Sequence, residues 1–476
     1  MNEELFAKCG CPHCENHIEF PIEAAGATVN CPHCSQPIQL SLENPPTQPA
    51  GLPTSGELIG AFAGPVRRTR VSFFYGIGAL LVALVMVMLP LVYLAMIGAA
   101  GCGLYWFATN CAFLLKPGHI GRLYILQLLA YVGPLFIGAV LLFFMIKPLF
   151  ARRAPRAQPL AMNPGVEPTL YAFIAKICDT IGAPMPKRID LDCQLNASAG
   201  FRRGVWSMFG HDLVLTIGLP LVAGLSLREF AGVIAHEFGH FTQGFGMRLS
   251  YVIRAVNAWF ARVVYERDAW DVWLEQMIEE SEDGRITIVV VCARIAVGFS
   301  RLLLKLLMLL GHGVSCFLLR QMEYDADSYE IKLAGSETFE ATARKLCVMN
   351  EALGRAYKEM QASWNLNRRL PASFPAYLVQ RRAQLPPKFC EKIEDTMGLS
   401  RTGIFDTHPS DGDRIRRARR AGESGVFHLD YPATVLFSNF EIVAKQVTQV
   451  HYSDDLGLSV DSGNLRATRP SAALET

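Results

Sequence analysis

From Val71 to Leu115 the chain contains not one Asp, Glu, Lys or Arg, and a helix needs only about 20 apolar residues to span a bilayer. So long an uncharged run predicts a membrane-spanning helix. A second apolar run covers Leu123 to Ile146 and closes on Lys147-Pro148. Together they predict a transmembrane hairpin within 67–150, with spans at about 71–98 and 123–146, and Pro90 and Pro134 are positioned to kink them. Composition agrees: 51% of residues are hydrophobic and 18% charged, against about a quarter charged in a typical soluble chain.

Arg67, Arg68 and Arg70 precede the hairpin and Lys147, Arg152, Arg153 and Arg156 follow it, whereas only Lys116 and Arg122 lie between. Basic flanks stay in the cytoplasm, so both ends are expected there. Folding Val71–Leu115 as two spans is the runner-up, and it would set the two basic flanks on opposite sides. The start, MNEELFAKCGCPHC, lacks a basic segment followed by an apolar one, so no cleavable signal is expected. The expected location is the cell inner membrane, multi-pass, with both soluble parts cytoplasmic.

Five of the thirteen cysteines fall in the first 34 residues. Cys11-Pro-His-Cys14 and Cys31-Pro-His-Cys34 form two C-x-x-C knuckles at the separation of a four-cysteine zinc ribbon, over residues 1–42. Four thiolates close a tetrahedral site, so this zinc is expected to be structural. The run CPHCENHIEFPIEAAGATVNCPHC also resembles small prokaryotic zinc ribbons attached to longer chains. Glu3, Glu4, Glu15, Glu19 and Glu23 face Lys8 alone, which repels phosphate; with a net charge of only +2, no nucleic-acid partner is expected. A protein contact or a regulatory role is expected of the ribbon, and its partner is unknown. Residues 43–66, with NPPTQPAGLPTSG, read as a flexible linker.

Beyond the hairpin, Ser226-Leu-Arg-Glu229 supplies a capping box for a helix through about Phe241. That helix carries VIAHEFGHF, in which His236 and His240 lie one turn apart and reach one zinc ion, with Glu237 placed to take a proton from the attacking water. Val233, Ile234, Ala235, Phe238 and Phe241 mark the helix as buried, where unpaired His and Glu would be costly. A catalytic zinc normally takes three protein ligands. Glu323, opening Glu323-Tyr-Asp-Ala-Asp327, is the candidate third, and Asp327 on the same helical face is a partner for a ligand histidine.

These motifs, with NASA at Asn196–Ala199, LTIGLP at Leu215–Pro220 and THPSDGDRI at Thr407–Ile415, resemble in order the integral-membrane zinc metallopeptidases that include HtpX and the CAAX prenyl proteases. The resemblance covers roughly residues 165 to 420. It implies an α+β, gluzincin-type metallopeptidase domain over 160–420 with a small edge sheet and active-site helices. It also implies that Glu323 is the third ligand, that Asp327 supports a histidine, that His408 and Arg414 assist at the cleft, and that Asn196 and Ala197 lie on an edge strand pairing with the substrate backbone. The ribbon is not part of that family's core, and NASA departs from its usual NAF-type run.

Residues 249–320 form a hydrophobic insertion between the two halves of the metal site, but Arg294, Arg301 and Lys305 share one helical face. At a bilayer centre each would cost about 2.5–3.5 kcal/mol. The favoured expectation is an amphipathic helix lying at the interface, with a second membrane hairpin using 249–265 as runner-up. The tail, 421–476, has YPATVLFSNFEIV as its one run expected to pack and suggests no role. The whole reads as a membrane-bound zinc endopeptidase acting on membrane or membrane-proximal proteins, with one catalytic and one structural zinc. Quality control is what the resemblance implies as its role. The alternative is an inactive zinc-binding adaptor that recruits partners through the ribbon.

Overall fold

A computed structural model describes residues 6–11, 13–14, 17–21, 27–39, 53–67, 73–115, 122–150, 159–201, 212–242, 245–266, 276–277 and 284–466. The ribbon is two antiparallel hairpins, β1 (Phe6–Gly10) with β2 (His17–Pro21) and β3 (Thr28–Asn30) with β4 (Pro37–Gln39). Buried Cys11, Ile18, Cys31 and Ile38 make its small core.

The linker expectation is corrected beyond Thr54; residues 43–52 lie outside the described ones. Thr54 and Glu57 close a capping box that starts α1 (Ser55–Gly60). Leu58, Phe62 and Val66 then enter the main core. Phe62 packs against Phe173 and Phe427, with ring centroids 5.7 and 4.5 Å away. The Pro- and Gly-rich composition concealed three apolar residues at four-residue spacing.

Among the described residues, three helices are long and apolar enough to cross a membrane: Phe74–Asn110, Tyr124–Phe150 and Val290–Ala334. The first two carry the predicted hairpin, α2 (Phe73–Asn110) and α3 (Arg122–Ile146), with Pro90 and Pro134 inside them. α2 runs well past the expected end near 98, since its isolated glycines do not stop a helix packed against neighbours. Of the flanking basic residues, Arg68, Arg70, Lys116, Arg152, Arg153 and Arg156 lie outside the described residues.

The peptidase-like part is built on a four-stranded sheet, order β5-β6-β8-β7. β5 (Leu160–Met162) is antiparallel to β6 (Arg188–Asp192), β6 is parallel to β8 (Leu213–Gly218), and β7 (Ala197–Phe201) lies antiparallel on β8 as one edge of the sheet among the described residues. Alternation in β8 sends Leu213, Leu215 and Ile217 inward. α4 (Pro168–Ile181) covers the sheet with Leu170, Phe173, Ile174, Ile177 and Ile181, at helical spacing, and ends on left-handed Gly182. α5 (Leu219–Gly224) leads into α6 (Leu227–Gly239), whose capping box uses Ser226 and Glu229 as expected.

The insertion is helical in its described residues. It forms α7 (Phe245–Tyr265) and α8 (Gly284–Ala334), the latter one unbroken helix from the apolar bundle to the metal site. α8 packs lengthwise with α2 and α7 through Ala83, Met86, Leu89, Ile253, Phe260, Leu304 and Leu319. The Tyr93 hydroxyl donates to the Met145 carbonyl (2.8 Å) and lies 3.0 Å from the Ser300 hydroxyl, tying α2, α3 and α8 together. α8 contains no proline, so nothing interrupts it until Gly335, at φ 97°, where a Cβ would meet the Ser424 carbonyl oxygen at 2.6 Å.

α9 (Ser336–Asn367), α10 (Phe374–Ala383), α11 (Pro387–Leu399) and α12 (Asp411–Ala421) complete the expected domain. The tail does more than expected. Phe427, Ala433 and Leu436 are buried, α13 (Phe440–Val450) adds Val443, Ala444 and Val447, and Tyr452 is fully buried. β10 (Leu465–Arg466) pairs with β9 (Leu370–Pro371). The domain therefore runs past 421, and short elements had hidden that from sequence periodicity.

Candidate metal centre

α6 and α8 cross closely because α6 offers glycines where they meet. A Cβ on Gly239 would lie 3.1 Å from the Tyr329 ring and 3.2 Å from Ala326 Cα; one on Gly232 would lie 3.0 Å from Ala334 Cβ. Phe230, Ala231, Ile234, Ala235 and Phe238 bury the rest of α6 in the main core. The crossing faces His236 and His240 toward Glu323 on α8.

His236 Nε2 lies 3.5 Å from one Glu323 oxygen and His240 Nε2 3.9 Å from the other. One donor atom from each residue falls within 4.8 Å of the others, and the imidazoles meet edge to face at 89°. The spacing suits three ligands around one ion. Charge points the same way: Glu237, Glu323, Asp327 and Glu330 crowd the site, and Arg254 and Arg414 are the guanidinium groups that meet them. A divalent cation would balance that excess, so the residues fit a zinc ion.

On the far side of His236, Asp327 Oδ1 lies 3.1 Å from Nδ1. Asp327 is itself held by Arg414, whose Nη2 donates to Oδ1 at 2.6 Å and Nε to Oδ2 at 3.0 Å. Such a chain fixes the ring and leaves Nε2 for a ligand bond. Arg414 was expected at the cleft. It stands behind His236 instead, over the Phe339 ring, because Asp327 faces the ring nitrogen that points away from Glu323.

Burial disfavours charge on His236, yet the Asp327 and Glu323 carboxylates outweigh it and raise its pKa. Burial and the neighbouring His236 lower that of His240. Burial also raises Glu237, whose carboxylate accepts a hydrogen bond from the Ala199 backbone. The edge strand β7 therefore borders the site. Ala197 is buried on that strand, while Asn196 is exposed just before it and accepts from the Gly218 N–H at 2.9 Å.

His408 is exposed, with Nδ1 3.5 Å from Glu323. Its loop is docked on α8: Arg320 donates to the Gly403 carbonyl at 2.6 Å and Cys316 Sγ to that of Ile404 at 3.4 Å. Two residues escaped sequence reasoning. Arg254 of α7 donates to Glu323 Oε1 at 2.7 Å, and buried Glu330 lies 3.7 Å from His236 Nδ1. Glu330 is one further turn along the face of Glu323 and Asp327, a signal that was available; Arg254 belongs to no motif.

In the ribbon, Cys11 and Cys34 sulfurs lie 3.6 Å apart and Cys14 and Cys31 sulfurs 3.8 Å. The four form one metal-ligand group. Backbone N–H groups of His13 and His33 donate to Cys11 and Cys31 at 3.4 Å each.

A model of the family described as Peptidase family M48 matches residues 166–421. Protease HtpX of Acinetobacter baylyi is 24% identical over 264 residues, covering 54% of this chain and 72% of that protein. Protease HtpX of Stutzerimonas stutzeri is 25% identical over 215 residues, 44% of this chain and 60% of that protein. Protease HtpX of Acinetobacter baumannii strain AYE is 24% identical over 261 residues, with 54% and 72% covered. No solved structure matches. With more than half its length matched by that model, the chain belongs to peptidase family M48.

Proposed function

We propose that the chain is a zinc-dependent endopeptidase of the cell inner membrane that cleaves membrane or membrane-proximal proteins, with a role in protein quality control. The observation that carries this reading is the convergence of His236, His240 and Glu323 beside Glu237 and an edge strand. A zinc ion bound there would polarise a substrate carbonyl and acidify water. His236, His240 and Glu323 hold the ion, and Asp327 and Arg414 keep His236 in the ligating orientation. Glu237 takes the proton from the attacking water and passes it to the leaving amine. β7, entered through Asn196 and Ala197, aligns the substrate backbone by strand addition, which favours broad specificity. His408 approaches from the exposed side and donates to the developing oxyanion.

A second zinc is held by Cys11, Cys14, Cys31 and Cys34 and stabilises the ribbon. Ribbon and peptidase part share the cytoplasmic side, as the basic flanks of the hairpin require. The deciding experiment compares degradation of membrane extracts by wild type and Glu237→Gln. Loss of cleavage with zinc retained is the expected result, and equal cleavage by both would remove the reading.

A further inference from the structure

The loop that carries His408 is closed at its base. Thr402 donates to Asp413 Oδ2 through its N–H at 2.8 Å and through its hydroxyl at 2.6 Å, and the same hydroxyl oxygen accepts from the Ser410 N–H at 2.9 Å. Ser410 in turn caps α12. Residues 402–410 therefore start and finish at one point, the first turn of the helix whose Arg414 holds Asp327.

The tip of the loop lies on α8. His312, Cys316 and Arg320 recur every four residues and so share a helical face, and each donates to a backbone carbonyl of the tip. His312 Nε2 reaches Phe405 at 2.5 Å, Cys316 Sγ reaches Ile404 at 3.4 Å, and Arg320 Nη1 reaches Gly403 at 2.6 Å and Ile404 at 3.0 Å. Three successive carbonyls are thus taken by one row of α8. The side chains of Ile404 and Phe405 are 80% and 66% exposed, so hydrogen bonds to the backbone, not burial of these side chains, keep the tip in place. Only Asp406 and Thr407 separate the tip from His408, whose Nδ1 lies 3.5 Å from Glu323, one turn beyond Arg320 on the same helix.

We propose that His312, Cys316 and Arg320 are positioning residues, which hold the 402–410 loop on α8 and thereby set His408 over the metal centre. The inference rests on the role given to His408 in the proposed function. Because one helix carries both Glu323 and the row that holds the loop, His408 keeps its place beside Glu323 when α8 shifts as a body.

The test uses the full chain in detergent micelles, read by hydrogen exchange over 402–410 and by kcat and KM on a peptide that the wild type cleaves. Arg320→Met, and His312→Phe as a second variant that keeps a ring, should speed exchange at the tip while α12 stays protected. Each should lower kcat about tenfold by misplacing His408, with KM and zinc content kept. Both Arg320 bonds leave from one nitrogen, so the ammonium of Arg320→Lys should restore exchange and kcat. Added to His408→Ala, Arg320→Met should cost nothing further. Unchanged exchange at the tip in both Arg320→Met and His312→Phe would overturn the proposal. So would a kcat loss from Arg320→Met that is as large in the His408→Ala background as in the wild type, or a wild-type kcat in His408→Ala alone. The exchange readout needs no turnover, and Glu237→Gln decides the proposed function separately, so the two failures are distinguishable.

Discussion

Glu237 and Glu323 are both carboxylates within reach of the same two histidines, and their environments divide their roles. Glu323 lies between both Nε2 atoms, whereas Glu237 faces the strand edge at Ala199. Glu237→Gln keeps the ligand set, so zinc should remain while hydrolysis falls by about two to four orders of magnitude. Glu323→Ala should instead release the catalytic zinc and abolish activity while the ribbon keeps its metal. Metal analysis beside a peptidase assay separates the two, and full zinc with normal turnover in Glu323→Ala would move the third ligand elsewhere. The motif residues were legible because helical spacing alone places His236 with His240 and Glu323 with Asp327. Arg254 was not, because its approach to Glu323 depends on how α7 packs, which no local pattern encodes.

At the level of elements, the metal site is a crossing of two helices. Gly239 and Gly232, seven residues apart, let α6 press against α8. Gly239→Ala places a methyl group within about 3.1–3.3 Å of Tyr329 and Ala326. The helices must part by a few tenths of an ångström, at a cost of about 1–3 kcal/mol. That separation draws both histidines from Glu323, so zinc affinity should drop more than the unfolding midpoint does. A midpoint loss without any change in zinc affinity would mean that the crossing does not set the ligand geometry. The α6 capping box and the β8 alternation were readable from local chemistry. The length of α8 was not readable, because its continuity through Glu323 depends on packing along α2.

Across the whole molecule, three parts of the chain distant in sequence close one core: α1, the sheet with its helices, and the tail after 421. The ribbon has its own small core and its own ligands. Two zinc equivalents are therefore expected per chain, falling to one in Cys11→Ser plus Cys31→Ser with peptidase activity kept. The stretch before the hairpin gives the sharper test, since its composition suggested a tether. Phe62 is 9% exposed and contacts both Phe173 of α4 and Phe427 of the tail. Removing the ring leaves a cavity where all three parts meet, so Phe62→Ala should destabilise the peptidase part by about 3–5 kcal/mol. If the segment were a free linker, Phe62→Ala would leave the unfolding midpoint unchanged. A loss in Phe62→Ala would instead establish that the chain entering the first membrane helix is clamped on the peptidase core, so that α2 and the metal site hold a fixed spacing.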